Sequence, residues 1–119
     1  MNPWQRTGPN VPEISVQQLA DRLRAGEKLF LLDVRQPFEA QQAKLSDSVL
    51  VPLNRLGAEL DALRERIPEG TPVVVYCHHG GRSFAATQGL LSAGFTNVVN
   101  LAGGIDAWSL YVDPSVPRY

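Results

Sequence analysis

Val73-Val-Val-Tyr76 runs without a polar break into Cys77, and a Gly-rich turn follows at once, His78-His-Gly-Gly-Arg-Ser83. A strand that is apolar at every position is covered on both of its faces, which is the habit of parallel sheets packed between helices. Three other segments share the pattern in whole or part: Leu29-Phe-Leu-Leu-Asp-Val34, Ser48-Val-Leu-Val51 and Asn97-Val-Val-Asn-Leu101. Between them lie helical periodicities. Val16, Leu19, Ala20 and Leu23 repeat three and four apart behind a capping box of Ser15 and Gln18. Pro37 starts a short helix. Asn54 is expected to cap a helix through Ile67, with Leu56, Leu60, Leu63 and Ile67 inward. Arg82 to Ala93 reads as a helix stopped by Gly94, and a last short helix lies near Asp106-Ala-Trp108. Strand and helix alternate, so the expected fold class is α/β, a parallel sheet with helices on both faces.

Ligands in such sheets bind at the carboxyl ends of the strands. Cys77 stands at one of those ends, where backbone N–H groups, a helix N-terminus and the Arg82 guanidinium all favour a thiolate over a thiol. Gly80 and Gly81 free the backbone to turn its amides inward as an anion nest. Arg82 is placed to neutralise charge or to hold the loop through its carbonyls, and Ser83 to cap the helix or donate to the sulfur. His78 and His79 are expected to act more through their amides than their imidazoles. A lone cysteine at a strand end is often a small buried hydrophobe. The two glycines, the arginine and the helix start directly downstream move the balance to a reactive thiol. Cys-His-His in one loop does not wrap a tetrahedral metal ion, and no other cysteine exists, so neither metal nor cofactor is expected.

The 119 residues suit one domain, 1–119, with an irregular lead-in over 1–12 and an extended tail over 111–119. Trp4 is expected to pack on the domain surface. A formal net charge of −1 offers no footprint for nucleic acid or an anionic membrane. No apolar run is long enough to span a bilayer and no secretory pattern opens the sequence, so the expected location is cytoplasmic.

At these residues the chain resembles the single-domain rhodaneses, a sulfurtransferase family. Leu31-Leu-Asp-Val-Arg35 with Glu39 is similar to the family's Asp-Val-Arg segment. Cys77-His-His-Gly-Gly-Arg-Ser83 resembles its active-site loop, and Leu101-Ala-Gly-Gly-Ile-Asp-Ala-Trp108 its closing signature. The resemblance implies a five-stranded parallel sheet and a Cys77 that carries sulfane sulfur as a persulfide, within a loop made by His78, His79, Gly80, Gly81, Arg82 and Ser83. The donor would be a small molecule such as thiosulfate, the acceptor a thiol, cyanide or a sulfur-carrier protein. The chain departs from the family at Lys44-Leu-Ser-Asp-Ser48, where a His-Ile-Pro-Gly-Ala-like stretch is usual. Asp33 and Arg35 read as a strand-end ion pair or brace, and Trp108 as a core anchor. The tail Val112-Asp-Pro-Ser-Val-Pro-Arg-Tyr119 resembles the end of rhodanese modules fused to adenylyltransferases, which points to a biosynthetic or sulfur-carrier partner. Two other functions remain open: a cysteine phosphatase on the same scaffold, and a non-catalytic interaction or sensing module. Only four residues separate Cys77 from Arg82. That ring suits one terminal sulfur better than the three oxygens of a phosphate, and the phosphatases of this scaffold carry one residue more.

Overall fold

The computed structural model describes residues 11–119. The expectations for the first ten residues, Trp4 included, lie outside the described residues. Five strands form one all-parallel sheet: β1 (Glu13–Ile14), β2 (Phe30–Asp33), β3 (Val49–Leu50), β4 (Val73–Tyr76) and β5 (Val98–Leu101). Their order across the sheet is β1-β5-β4-β2-β3, which puts β4 in the centre. Its register places Val75 beside Leu32 on one side and Asn100 on the other.

The alternation of side chains along β4 divides the core. Val74 and Tyr76 face one apolar cluster with Leu19, Leu31, Val99, Leu101 and Ile105. Val73 and Val75 face a second with Leu32, Val34, Leu56, Leu63, Ala86 and Leu90. Cys77 continues that second set, so its side chain falls on the face of the sheet covered by the helix that follows it. Helices α1 (Val16–Arg24) and α5 (Gly104–Tyr111) supply the first cluster; α3 (Leu60–Arg66) and α4 (Gly81–Ser92) supply the second. The short α2 (Pro37–Gln42) lies between β2 and β3. No helix among the described residues is long and apolar enough to cross a membrane.

Sequence periodicity located most elements, and the departures have local causes. The capping box at α1 is present, with Ser15 Oγ accepting from Gln18 N at 3.1 Å and Gln18 Oε1 from Ser15 N at 2.9 Å. The helix expected from Asn54 to Ile67 is instead two pieces, a 3-10 helix over Leu53–Glu59 and then α3. The first turn closes tightly, Arg55 N donating to Pro52 O at 2.8 Å, and Gly57 in its middle gives no support to the wider α turn. The two-residue β1 was not legible from the pattern, being too short for any alternation to show. The tail is not simply extended. Tyr111 is the last residue of α5, a turn follows with Val116 N donating to Asp113 O at 3.1 Å, and Val112, Val116 and Tyr119 pack against the first core cluster. Trp108 packs there too, half-buried.

Candidate active site

Two backbone donors converge on the sulfur of Cys77. Gly80 N lies 3.1 Å from Sγ and Ser83 N 3.4 Å. The first comes from the turn, the second from the third residue of α4, whose N–H has no partner within the helix. The turn is shaped by its other side. The first amides of α5 grip the loop's carbonyls, Ile105 N on Cys77 O at 3.0 Å and Asp106 N on His78 O at 3.1 Å. That grip fixes the start of the turn, which brings Gly80 N and then Ser83 N to the sulfur.

Two glycines make this approach possible. Gly80 adopts φ 109°, and a Cβ there would sit 3.3 Å from Gly103 N. Gly104, at φ 62°, lies so close to the loop that a Cβ would stand 2.4 Å from His78 O and 2.6 Å from Cys77 O. Gly81 has open space around it and no such backbone demand. Of the Gly80-Gly81 pair, conformation requires only the first.

Behind the sulfur lies a polar chain centred on Asn100, a residue the sequence pattern did not single out. Asn100, buried in β5, donates through Nδ2 to Gly80 O at 3.2 Å and to Glu13 Oε2 at 2.9 Å. Its Oδ1 therefore faces Ser83 and accepts that hydroxyl. Ser83 Oγ is also 3.4 Å from Cys77 Sγ. Ser83 is not the cap of α4, a place held by Gly80. An asparagine inside an otherwise apolar strand was the available signal, since a buried amide needs partners.

Beside the sulfur lies a network of charge. Asp33 and Arg35 form the strand-end pair expected of them, with Nε–Oδ1 2.9 Å and Nη2–Oδ2 2.8 Å, both side chains fully buried. Arg35 also donates to Ala43 O at 2.7 Å. Burial alone would lower the pKa of Arg35; the bonds to Asp33 and Tyr119 overcome it and hold the guanidinium above its usual value. Arg82 does not reach for loop carbonyls. Its two terminal nitrogens meet the Glu39 carboxylate at 2.6 and 2.9 Å, a fork-to-fork pair. Those bonds outweigh burial and, with the Tyr119 hydroxyl, hold the Glu39 carboxyl down to about 2. Glu39 in turn raises the Arg82 pKa further. Tyr119 donates to Glu39 Oε2 at 2.7 Å and accepts from Arg35 Nη1 at 2.9 Å. Nothing in the sequence foretold these contacts, which join residues 80 and 84 apart.

His78 is half-buried and His79 exposed. Their rings stack 3.9 Å apart, and His78 stacks again on Tyr119 at 4.0 Å and 11°. Burial, then the neighbouring His79, lowers the His78 pKa and favours neutral imidazole. His79 Nδ1 is 3.8 Å from Asp106 Oδ2. The structure thus gathers Cys77, Gly80 and Ser83 into one hydrogen-bonded cradle. It places Arg82 in the adjoining ion pair, the His78 and His79 rings on the rim, and Gly81 at the exposed start of α4.

Comparison with known proteins agrees with this architecture. Residues 15–111 match the family described as "Rhodanese-like domain". A protein of Allochromatium vinosum named "Sulfurtransferase" is 35% identical over 106 residues, covering 89% of this chain and 95% of that one. "Adenylyltransferase and sulfurtransferase MOCS3-1" of Zea mays is 36% identical over 114 residues, covering 93% of this chain but 24% of that longer protein. The crystal structure of a thiosulfate sulfurtransferase from Pseudomonas aeruginosa superposes with a TM-score of 0.79 at 27% identity, covering 91% of this chain and 20% of that one. A parallel five-stranded sheet, a lone thiol at the end of its central strand and a family match over most of the chain lead to one assignment: the chain belongs to the rhodanese-like family and is a rhodanese-type sulfurtransferase.

Proposed function

We propose that Cys77 is the residue that carries the sulfur. The supporting observation is the pair of amides, Gly80 N and Ser83 N, aimed at Sγ from two sides. Fixed N–H dipoles stabilise a sulfur anion without bringing a second full charge into a buried site. The thiolate attacks the outer sulfur of a donor such as thiosulfate. The donor's S–S bond breaks, sulfite leaves with the electron pair, and a Cys77 persulfide forms. An acceptor nucleophile, a thiol or cyanide, then attacks the terminal sulfur, and the Cys77 thiolate is regenerated. Gly80 and Ser83 form the cradle around the sulfur, His78, His79 and Gly81 complete the loop that carries it, and Arg82 braces its wall through Glu39. In the cell the acceptor is a sulfur-carrier or biosynthetic partner, a reading supported by the likeness to modules of adenylyltransferase–sulfurtransferases.

Phosphate chemistry fits less well. The four residues between Cys77 and Arg82 make a ring that suits one terminal sulfur better than three phosphate oxygens, and two of the Arg82 N–H groups already serve Glu39. Intact-mass measurement after thiosulfate treatment should show one added sulfur, mapped to Cys77 and released by cyanide as thiocyanate. The Cys77→Ser protein should show neither. A wild-type protein that stays unmodified with thiosulfate, mercaptopyruvate and a cysteine-desulfurase donor alike would refute the assignment.

A further inference from the structure

Cys77 is only 1% exposed, so whatever reaches its sulfur must pass the rim of the loop. One side of that rim is built from the chain's last segment. The tail leaves α5, turns at Asp113, seats Val116 on the core, and is pinned by Arg118 to Asp106 at 2.9 Å. It then lays Tyr119 against the site at three points. The ring covers His78, the neighbour of Cys77, at 4.0 Å. The hydroxyl takes a hydrogen bond from Arg35 and gives one to Glu39, the carboxylate that holds Arg82. Both side chains that flank the cradle on this side, His78 and Arg82, are thus immobilised by the same tyrosine, one directly and one through Glu39. Beneath the ring, His78 Nε2 is buried without a hydrogen-bond partner among the described residues.

We propose that Tyr119 is a specificity-determining residue, a movable wall that sets the size of the donor or acceptor able to reach Cys77. The inference rests on Cys77 being the sulfur-carrying residue. Its physical basis is a difference in anchoring. The cradle is held by backbone bonds to α5 and by buried Asn100, whereas beyond its one turn the tail is held by side chains alone: the exposed Arg118–Asp106 pair, apolar contacts, and the Tyr119 bonds to Arg35 and Glu39, which a single substitution removes. Widening the mouth moves the tail before it moves the loop.

Alkylation of Cys77 tests this without requiring turnover. The rates with iodoacetamide and with a bulky fluorescein maleimide are measured for the wild type, Tyr119→Ala and Tyr119→Phe. In Y119A the bulky-to-small rate ratio should rise about fivefold or more, and the Phe variant, which keeps the ring on His78, should fall between. The ratio of kcat/KM for a bulky aryl thiosulfonate over thiosulfate should rise with it. A general loosening of the fold would raise both alkylation rates together and leave their ratio flat, which overturns the proposal. If Y119A fails to fold, Tyr119→Leu is read by the same criterion. A wild type that transfers no sulfur sinks the functional assignment, while the alkylation ratio still decides whether Tyr119 is the wall.

Discussion

The sulfur and the charges sit side by side and are held by different means. Around Cys77 the hydrogen-bonding groups are neutral: two amides, a serine hydroxyl and, behind it, Asn100. Next to them Asp33, Arg35, Glu39 and Arg82 form two salt bridges braced by Tyr119, and none of these cations donates to the sulfur. The difference separates catalysis from framing. Amide dipoles fixed by secondary structure need no reorganisation when a sulfur gains or loses charge. Ion pairs taken out of water are costly unless fully satisfied, but once satisfied they hold a unique geometry strongly, because losing one partner strands the other.

The strongest way to break the comparison is to remove the frame. Arg35 is fully buried and bonds Asp33, Ala43 O and Tyr119. Arg35→Ala strands the Asp33 carboxylate in the core and should cost about 3–5 kcal/mol, read by urea denaturation. Arg35→Lys should not restore it, because an ammonium does not reproduce the planar fork. A loss below about 1 kcal/mol would mean the frame does not depend on this pair.

The backbone half is probed at the glycines. Gly104→Ala puts a methyl against two carbonyls at a positive φ, so α5 and the loop must part. The expected cost is about 1–3 kcal/mol, with a larger loss of sulfur transfer because the amides lose their aim. Gly81→Ala, with open space around it, should change stability by less than about 0.5 kcal/mol. Equal damage from both would show that the loop needs glycine for flexibility rather than for close approach.

These contrasts also explain what the sequence could convey. Continuous apolar runs exposed β2, β4 and β5, because burial on both faces leaves a compositional mark. The turn after Cys77 was legible because glycine, arginine and a helix start are local signals. Glu39 was visible as a letter of a motif, but its pairing with Arg82 joins residues 43 apart and has no local trace. Tyr119 is further still from Arg35, and its turn-rich approach through Pro114 and Pro117 read as an extended tail. Long-range polar contacts are set by the closing of the fold, which hydrophobic periodicity does not encode.

Arg82 tests the boundary between the two halves. Its side chain is partly exposed, and Glu39 keeps bonds from Tyr119 and Gln36 N after its loss. Arg82→Ala should therefore cost only about 1 kcal/mol in stability while slowing transfer about tenfold as the wall loosens. The acid limb supplies a second reading. Glu39 is held down to about 2 in the folded protein against 4.5 unfolded. Its contribution is complete above pH 4.5 and is lost as pH falls toward 2. Arg82→Ala removes the main cause of that depression, so acid unfolding should begin at higher pH in the variant, followed by circular dichroism from pH 6 to 2. Coincident acid transitions would detach Glu39 from Arg82 in solution.

Among the groups that touch the sulfur, the smallest effect on transfer is expected at the Ser83 hydroxyl, although it lies 3.4 Å from Sγ. Asn100 Nδ2 is committed to Gly80 O and Glu13, so Oδ1 must face Ser83 and take its single hydroxyl hydrogen. What Ser83 turns to the sulfur is then an oxygen lone pair, which accepts from a thiol and gives nothing to a thiolate. The anion is left to the amides of Gly80 and Ser83, and Ser83→Ala keeps both. Transfer at neutral pH should fall by no more than about threefold. Stability should fall by about 1 kcal/mol, from the Asn100 oxygen left without a donor. Removing a true donor to a developing anion costs about a hundredfold or more. A loss of that size in single-turnover transfer by Ser83→Ala would place the hydroxyl hydrogen on the sulfur and move part of the cradle from backbone to side chain.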